Sequence, residues 1–352
     1  MLVRGTNLSQ KSFEYPKDWG QGGRGCWAGG GYYTAGAGGG VDGFNNTFGM
    51  TYVTISTLGN STNFGTLGVT GLSRASGTSG RGIGLMIGGV VHTAGWPYLG
   101  QVNHPAIRYV TIATLSNAST FGNLSAARVQ SDAASNGTRA IMMGGANDYN
   151  NPISDIATIE YVTIATPGTS TAFGNITAQP TNYIGNDATG DGVKGLWRIM
   201  VSGGGYSNDK YEYVTIDSPT DSITWGTMGT NEGEGASAAS NGSRAFYSGG
   251  YNGSWINNID YLTWSTPSNG AQYGNLRTNY YEARACDDGS RTVIGGWNNS
   301  SMEYFSMDLA AGTATISALF GSLTGRDSEG GNCSSGTSSG CRRVRSAVFA
   351  GD

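Results

Sequence analysis

Apolar residues in this chain come in short β-branched and aromatic runs, each bounded by Gly, Pro, Asn or Ser, which is the pattern of short strands. Six times a tyrosine opens such a run and an aromatic-glycine pair follows it. Tyr52-Val-Thr-Ile leads to Phe64-Gly65, Tyr109-Val-Thr-Ile to Phe121-Gly122, and Tyr161-Val-Thr-Ile to Phe173-Gly174. Tyr213-Val-Thr-Ile then leads to Trp225-Gly226, Tyr261-Leu-Thr-Trp to Tyr273-Gly274, and Tyr304-Phe-Ser-Met to Phe320-Gly321. The aromatic stands twelve residues after the tyrosine in five copies and sixteen after it in the sixth, and successive tyrosines lie 57, 52, 52, 48 and 43 residues apart. A strand-built repeat of roughly 40–50 residues predicts one β-propeller blade per copy. The 352 residues therefore form one ring rather than two domains.

The fifth copy shows four strands. Ala236-Ser-Ala-Ala-Ser is a run of small residues, Asn241-Gly-Ser a tight turn, and Arg244-Ala-Phe-Tyr-Ser an alternating strand that ends at Gly249-Gly250. After a variable connection come Ile259-Asp-Tyr-Leu-Thr-Trp, a turn at Pro267-Ser-Asn-Gly, and Ala271-Gln-Tyr273-Gly. Small residues suit the crowded centre of a ring, and aromatics suit the wider space between blades. The doublets Gly29-Gly30, Gly88-Gly89, Gly144-Gly145, Gly203-Gly204, Gly249-Gly250 and Gly295-Gly296 close the second strands. Arg24, Arg139, Arg198, Arg244 and Arg345 each lie five residues before such a doublet or its Ala350 substitute, and Glu160, Glu212, Asp260 and Glu303 each precede a repeat tyrosine. Adjacent strands are expected to join these charges as ion pairs within a blade.

A small inner strand, a second strand ending in Gly-Gly, a variable connection, a Tyr strand and an aromatic strand, in that order over residues 24–352, resemble the kelch repeat. The wording Tyr-Val-Thr-Ile followed by Asn-X-Thr-X-Phe-Gly-X-Leu is similar to the kelch-like repeats of structural proteins of tailed phages, marine ones especially. The resemblance implies an all-β, single six-bladed kelch-like propeller with four-stranded antiparallel blades, and a place in a bacteriophage virion.

Seven segments qualify as a second strand, because both Arg24-Gly-Cys-Trp-Ala-Gly-Gly and Arg345-Ser-Ala-Val-Phe-Ala-Gly fit. The first blade lacks a small-residue strand before Gly25, and Glu329-Gly-Gly-Asn-Cys-Ser-Ser supplies a candidate. The ring is expected to close by placing one or two C-terminal strands in the first blade, which removes an open edge. Residues 1–23 lie outside the repeats, either as a leader or as an anchoring arm carrying Phe13, Tyr15 and Trp19.

A net charge of −4 with 20 scattered Lys and Arg makes no basic field for nucleic acid. No apolar stretch approaches the roughly 20 residues of a membrane span, and no basic segment followed by an apolar one opens the chain. Neither membrane insertion nor an export signal is expected, which suits a protein assembled into virions in a host cytoplasm. Cys26 and Cys286 fall in predicted strands as small buried residues. Cys333 and Cys341 flank Ser-Ser-Gly-Thr-Ser-Ser-Gly, and their spacing leaves a hairpin-bridging disulfide open.

Chemistry is sparse. The two histidines, His92 and His104, fall in one loop, too few for a copper oxidase of the kelch class and without a zinc-ligand spacing. No nucleophile elbow is present, and Gly36-Ala-Gly-Gly-Gly-Val lacks the helix of a phosphate loop. Asp187-Ala-Thr-Gly-Asp191-Gly resembles the opening of a calcium loop but has no Glu at its twelfth position. Carboxylate pairs for glycoside hydrolysis are a spatial matter that spacing does not decide. No catalytic, cofactor-binding or metal-binding residue is expected.

The connections from Gly-Gly to the next tyrosine strand take 21 residues before Tyr52, 19 before Tyr109 and 15 before Tyr161, then only seven to ten. These segments project from one face, so half of it is built up. Tyr32, Tyr33, Phe44, Phe48, Trp96, Tyr98 and His104 in the first two form a candidate partner or glycan surface. Three functions compete: a non-enzymatic virion component on the capsid surface or tail, contacting other virion proteins; a lectin-like module for a cell-surface glycan; and an enzyme acting on polysaccharide.

Overall fold

The computed structural model of the chain describes residues 23–28, 49–69, 72–92, 101–147, 156–178, 188–199, 210–227, 235–296 and 299–323. They form a six-bladed β-propeller, all-β, with every named pairing antiparallel. Blade 1 shows Arg24–Ala28, Gly49–Thr54 and Thr62–Thr66. Each other blade shows four strands. Blade 2 has Ser76–Gly80, Ile83–Ile87, Ala106–Thr111 and Ser119–Asn123; blade 3 has Asp132–Ser135, Arg139–Met143, Thr158–Thr163 and Thr171–Asn175. Blade 4 has Thr189–Gly190, Lys194–Ile199, Lys210–Thr215 and Ile223–Thr227; blade 5 has Ser237–Ser240, Arg244–Ser248, Ile256–Thr263 and Ala271–Tyr280. Blade 6 has Arg284–Asp287, Arg291–Gly296, Asn299–Ser306 and Ala318–Ser322.

The core is divided among the seams between blades rather than centred. Leu85, Ile87 and Ile107 of blade 2 pack with Ala133, Ala140 and Met142 of blade 3. Five further clusters occupy the other seams, including Trp27, Val53 and Ile55 of blade 1 against Cys286, Val293 and Phe320 of blade 6. The last seam is also bonded along the backbone. Gly59 N–H donates to the Phe320 carbonyl at 3.0 Å, and Ser61 N–H to that of Ser322 at 2.9 Å. Because the ring turns back on itself, no blade face is left for solvent.

Each residue of the repeat has a place in these seams. The six tyrosines Tyr52, Tyr109, Tyr161, Tyr213, Tyr261 and Tyr304 set their rings edge-to-face on Phe64, Phe121, Phe173, Trp225, Tyr273 and Phe320, with centroids 5.1 to 6.1 Å apart, a geometry favoured by the ring quadrupoles. The glycine after each aromatic lets the next blade approach. A Cβ on Gly65, Gly122, Gly174, Gly226 or Gly321 would land on the backbone carbonyl of Ser116, Gly168, Thr220, Ser268 or Gly59, each in the turn of the following blade. That turn then bonds the outer strand, as Ala118 N–H does with the Thr66 carbonyl at 2.8 Å and Ser222 N–H with that of Asn175 at 2.9 Å.

Among the described residues the recurring charges do not pair with each other, contrary to the expectation from their spacing. Arg139 lies opposite Thr163, so strand alternation puts it on the face of Tyr161, whereas Glu160 points to the other face. The Arg139 guanidinium stands 4.3 Å over the Tyr161 ring and donates to the Ile216 carbonyl of the following blade at 2.9 Å. Arg24, Arg244 and Arg291 repeat this stacking on Tyr52, Tyr261 and Tyr304, with bonds to the carbonyls of Ile112, Leu309 and Ile55. In blade 4 the position belongs to Lys194, over Trp225; Arg198 sits four residues on, opposite Tyr211 and buried. Arg345 lies outside the described residues.

The three glutamates of this position reach the preceding blade. Glu212 accepts from Thr177 N–H, Thr177 Oγ1, Ala178 N–H and Ser222 Oγ. Glu303 likewise accepts from Arg277 N–H, Thr278 Oγ1 and Ser317 Oγ. Glu160 takes bonds from Ser125 and Ser170 and pairs with Arg128, a residue of the crossover rather than of the repeat. Burial pushes its carboxyl up, but the hydroxyl bonds and the Arg128 charge outweigh that and hold it below the usual range.

Candidate functional site

With the repeat residues engaged in the seams, the candidate contact surface is the face bearing the connections between second and third strands. Of the sequence-derived surface, His104 is described; Tyr32, Tyr33, Phe44, Phe48, Trp96 and Tyr98 lie outside the described residues, as do Phe13, Tyr15 and Trp19 of the arm and both Cys333 and Cys341. His104 has a local duty. Its Nδ1 accepts the Ala106 N–H at 3.1 Å, and burial together with the nearby Arg108 guanidinium holds its pKa below the usual imidazole range.

The connection holding both histidines is not simply a loop. Val90–His92 pairs on one side with Leu72–Ser73 and on the other with Gln101–Asn103 to make an accessory three-stranded sheet on blade 2. Val90 is buried with Val129 and Ala146 beneath it, while Val102 is 56% exposed. Asn103 Nδ2 reaches the carbonyls of Ala146 and Asn147 at 3.2 and 2.6 Å, tying this sheet to the connection of blade 3. The described ends of the blade 2 connection are thus folded into a sheet and fastened to blade 3.

On the opposite side of the ring the same face carries an aromatic group that the lengths did not point to. Tyr251 and Trp255 are bridged across a short hairpin, with Gly253 at φ 107° in its tip. The Tyr281 ring lies 5.8 Å from that of Tyr251, and Trp255 is 45% exposed. None of these residues is itself a mark of the repeat, and only the fold brings 251–255 and 281 together.

The inner rim of this face is built from strained backbone. Two residues before the inner strand, Arg74, Gln130, Gly235 and Glu282 adopt φ of 54°, 55°, 66° and 50°. For side-chain-bearing residues this left-handed geometry costs on the order of 1 kcal/mol each. Successive rim residues are bonded, Gln130 N–H to the Arg74 carbonyl at 3.1 Å and Glu282 N–H to that of Gly235 at 2.8 Å.

The calcium-like segment resolves into a turn, since Asp191 Oδ1 accepts from Val193 N–H at 2.8 Å and Lys194 N–H at 2.7 Å. Asn136, Asn241 and Asp288 make the same turn in blades 3, 5 and 6. Among the described residues no three His, Cys, Asp or Glu side chains come together as a metal site, and no helix is long and apolar enough to cross a membrane. No protein-family model matches the chain, and no curated protein matches it.

Proposed function

We propose that this propeller is a non-enzymatic binding protein of a bacteriophage virion, on the capsid surface or tail, that meets its partners through the connection face. The observation that carries the reading is the division of labour along the repeat. Tyrosine, aromatic, glycine, cation and carboxylate are engaged in seams, while the accessory sheet, the Tyr251–Trp255–Tyr281 group and the strained rim share one face. A rigid ring with a built-up face suits contacts with other virion proteins, and the phage-like wording of the repeat supplies the virion context. Mass spectrometry of purified particles, followed by a reconstruction, tests it. The expected result is ring-shaped density with the connection face against a neighbouring protein; particles lacking the chain overturn the reading.

The aromatic group also favours a second reading, recognition of a cell-surface glycan, because an exposed indole beside a tyrosine offers a flat face for a sugar ring. A glycan array is the measurement. Binding by the parent protein that falls at least tenfold in Trp255→Ala or Trp96→Ala supports this reading, and no binding by the parent removes it.

A further inference from the structure

The face away from the connections is made of tight turns. In blade 2 the Ile112 N–H donates to the Gly82 carbonyl at 2.9 Å, which joins the turn between first and second strands to the turn between third and fourth. Ile164 with Thr138 and Ile216 with Val193 repeat the bond in blades 3 and 4. Four of the large apolar side chains left exposed, Leu58, Leu115, Val193 and Leu309, stand in these turns. Leu58 and Leu115 are 55% and 49% exposed, and each follows its repeat tyrosine by six residues. Blades 3, 4 and 5 carry Pro167, Pro219 and Pro267 at that place. The turn therefore does not call for leucine, and the core takes up neither side chain.

Cations flank both leucines. Arg24 Nη1 donates to the Ile112 and Ala113 carbonyls at 3.0 Å, at the start of the turn that holds Leu115. Arg291 Nη1 donates to the Ile55 carbonyl at 2.9 Å, at the start of the turn that holds Leu58. Arg81, exposed in the adjoining turn of blade 2, reaches Thr138 Oγ1 at 3.2 Å. Among the described residues none of the three is in an ion pair, and the turns 55–61, 80–82 and 112–118 hold no Asp or Glu. Asp288, near Arg291 in sequence, has its Oδ1 taken by the Ser290 and Arg291 amides. Elsewhere the balance differs. Lys194 pairs with Asp191 at 3.8 Å, the blade 4 turn carries Asp217 and Asp221, and Leu309 follows Asp308. A chain of net charge −4 thus concentrates cations and exposed leucines over blades 1 and 2.

We infer that this arc, Leu58 and Leu115 flanked by Arg24, Arg81 and Arg291, docks an acidic segment of a partner protein, with apolar side chains on the leucines and carboxylates on the guanidiniums. Charge complementarity selects the partner, and the leucines supply the apolar contact that excludes water around each charge pair. Two of the cations are held ready. The Tyr52 and Tyr304 rings support the Arg24 and Arg291 guanidiniums, and the turn carbonyls fix one edge of each. Little rotamer freedom is left to lose on binding, and a guanidinium edge matches the two oxygens of a carboxylate. Nucleic acid fits less well, because leucine offers nothing to a phosphate backbone. The arc lies opposite the connection face, so this partner is additional to any that the connections meet.

Selection of a displayed random dodecapeptide library on the immobilised full-length chain tests the inference. The enriched peptides are expected to carry two or more Asp or Glu around a Leu, Ile or Phe. Fluorescence polarisation of one such peptide then locates its site. Its affinity is expected to fall at least tenfold in the double variant Leu58→Ser, Leu115→Ser and at least tenfold in Arg81→Glu, and to stay unchanged in Trp255→Ala on the opposite face. The substituted side chains are exposed, so the variants are expected to keep the Tm of the parent. Enrichment of no acidic peptide, or equal binding by the parent and the leucine double variant, overturns the inference. A loss confined to Trp255→Ala also overturns it, by placing the peptide on the connection face, and leaves the virion reading standing. Duplex DNA that displaces the peptide and binds parent and double variant alike overturns the assignment to a protein partner.

Discussion

Asp260 and Glu160 hold the same place in the repeat, one residue before the tyrosine, and their carboxyls shift in opposite directions. Hydroxyls and Arg128 hold the Glu160 carboxyl low, so its contribution is present above the unfolded carboxylate pKa and is lost as pH falls through the lower folded value. Asp260 is one methylene shorter, and burial pushes its carboxyl up to about 6. The sign is therefore reversed. Below its ordinary value of 3.8 the buried group is neutral and costs nothing, the cost grows as pH rises, and it is complete above about 6. Asp260→Asn is expected to raise stability by roughly 2–3 kcal/mol at pH 8, from two pKa units at about 1.4 kcal/mol each, and to change little at pH 4. Urea denaturation at both pH values checks it, and an equal effect at both contradicts the burial account. The alternation of faces that separates Arg139 from Glu160 was readable from the strand pattern, since residues an odd number apart on one strand point oppositely.

At the scale of the strand, the aromatic-glycine pair is a joint between blades. The aromatic buries its ring against the tyrosine of its own sheet, and the glycine admits the turn of the next one. Gly174→Ala places a methyl group on the Thr220 carbonyl and is expected to lower stability by about 2–3 kcal/mol, as overpacking does. Gly59 has open space around its missing Cβ, and Gly59→Ala is expected to stay within about 0.5 kcal/mol. Thermal or urea unfolding of the pair measures the contrast, and equal losses would show that the joint is not steric. The glycine's position was plain in the sequence. Its reason was not, because the clash comes from a residue some 46 positions away in the next blade.

For the whole molecule, the consequence of closure is that no blade is terminal. The amides of Ser170 and Ser222 bond across the blade 2–3 and 3–4 seams at 2.9 Å, and Ser61 does the same across the 6–1 seam, also at 2.9 Å. In an open array the end blades would exchange fastest. In the ring, the Ser61 amide is expected to exchange within about tenfold of Ser170 and Ser222. Much faster exchange at Ser61 would mean that the 6–1 seam opens on its own.

Six blades, the order of their strands, the small inner residues and the burial of Cys26 and Cys286 follow from the sequence alone, because a period of two within strands and a fixed period between copies leave one arrangement that packs the repeat aromatics against one another. The tertiary structure decided the partners. It turned the expected ion pairs into a guanidinium stacked on tyrosine and a carboxylate clamping the preceding blade, made Lys194 the equivalent of Arg24, and folded part of the long blade 2 connection into a sheet. It also gathered Tyr251, Trp255 and Tyr281 on one face. Each of these depends on which residues of neighbouring blades meet across a seam or a face, and no pattern along one strand carries that distance.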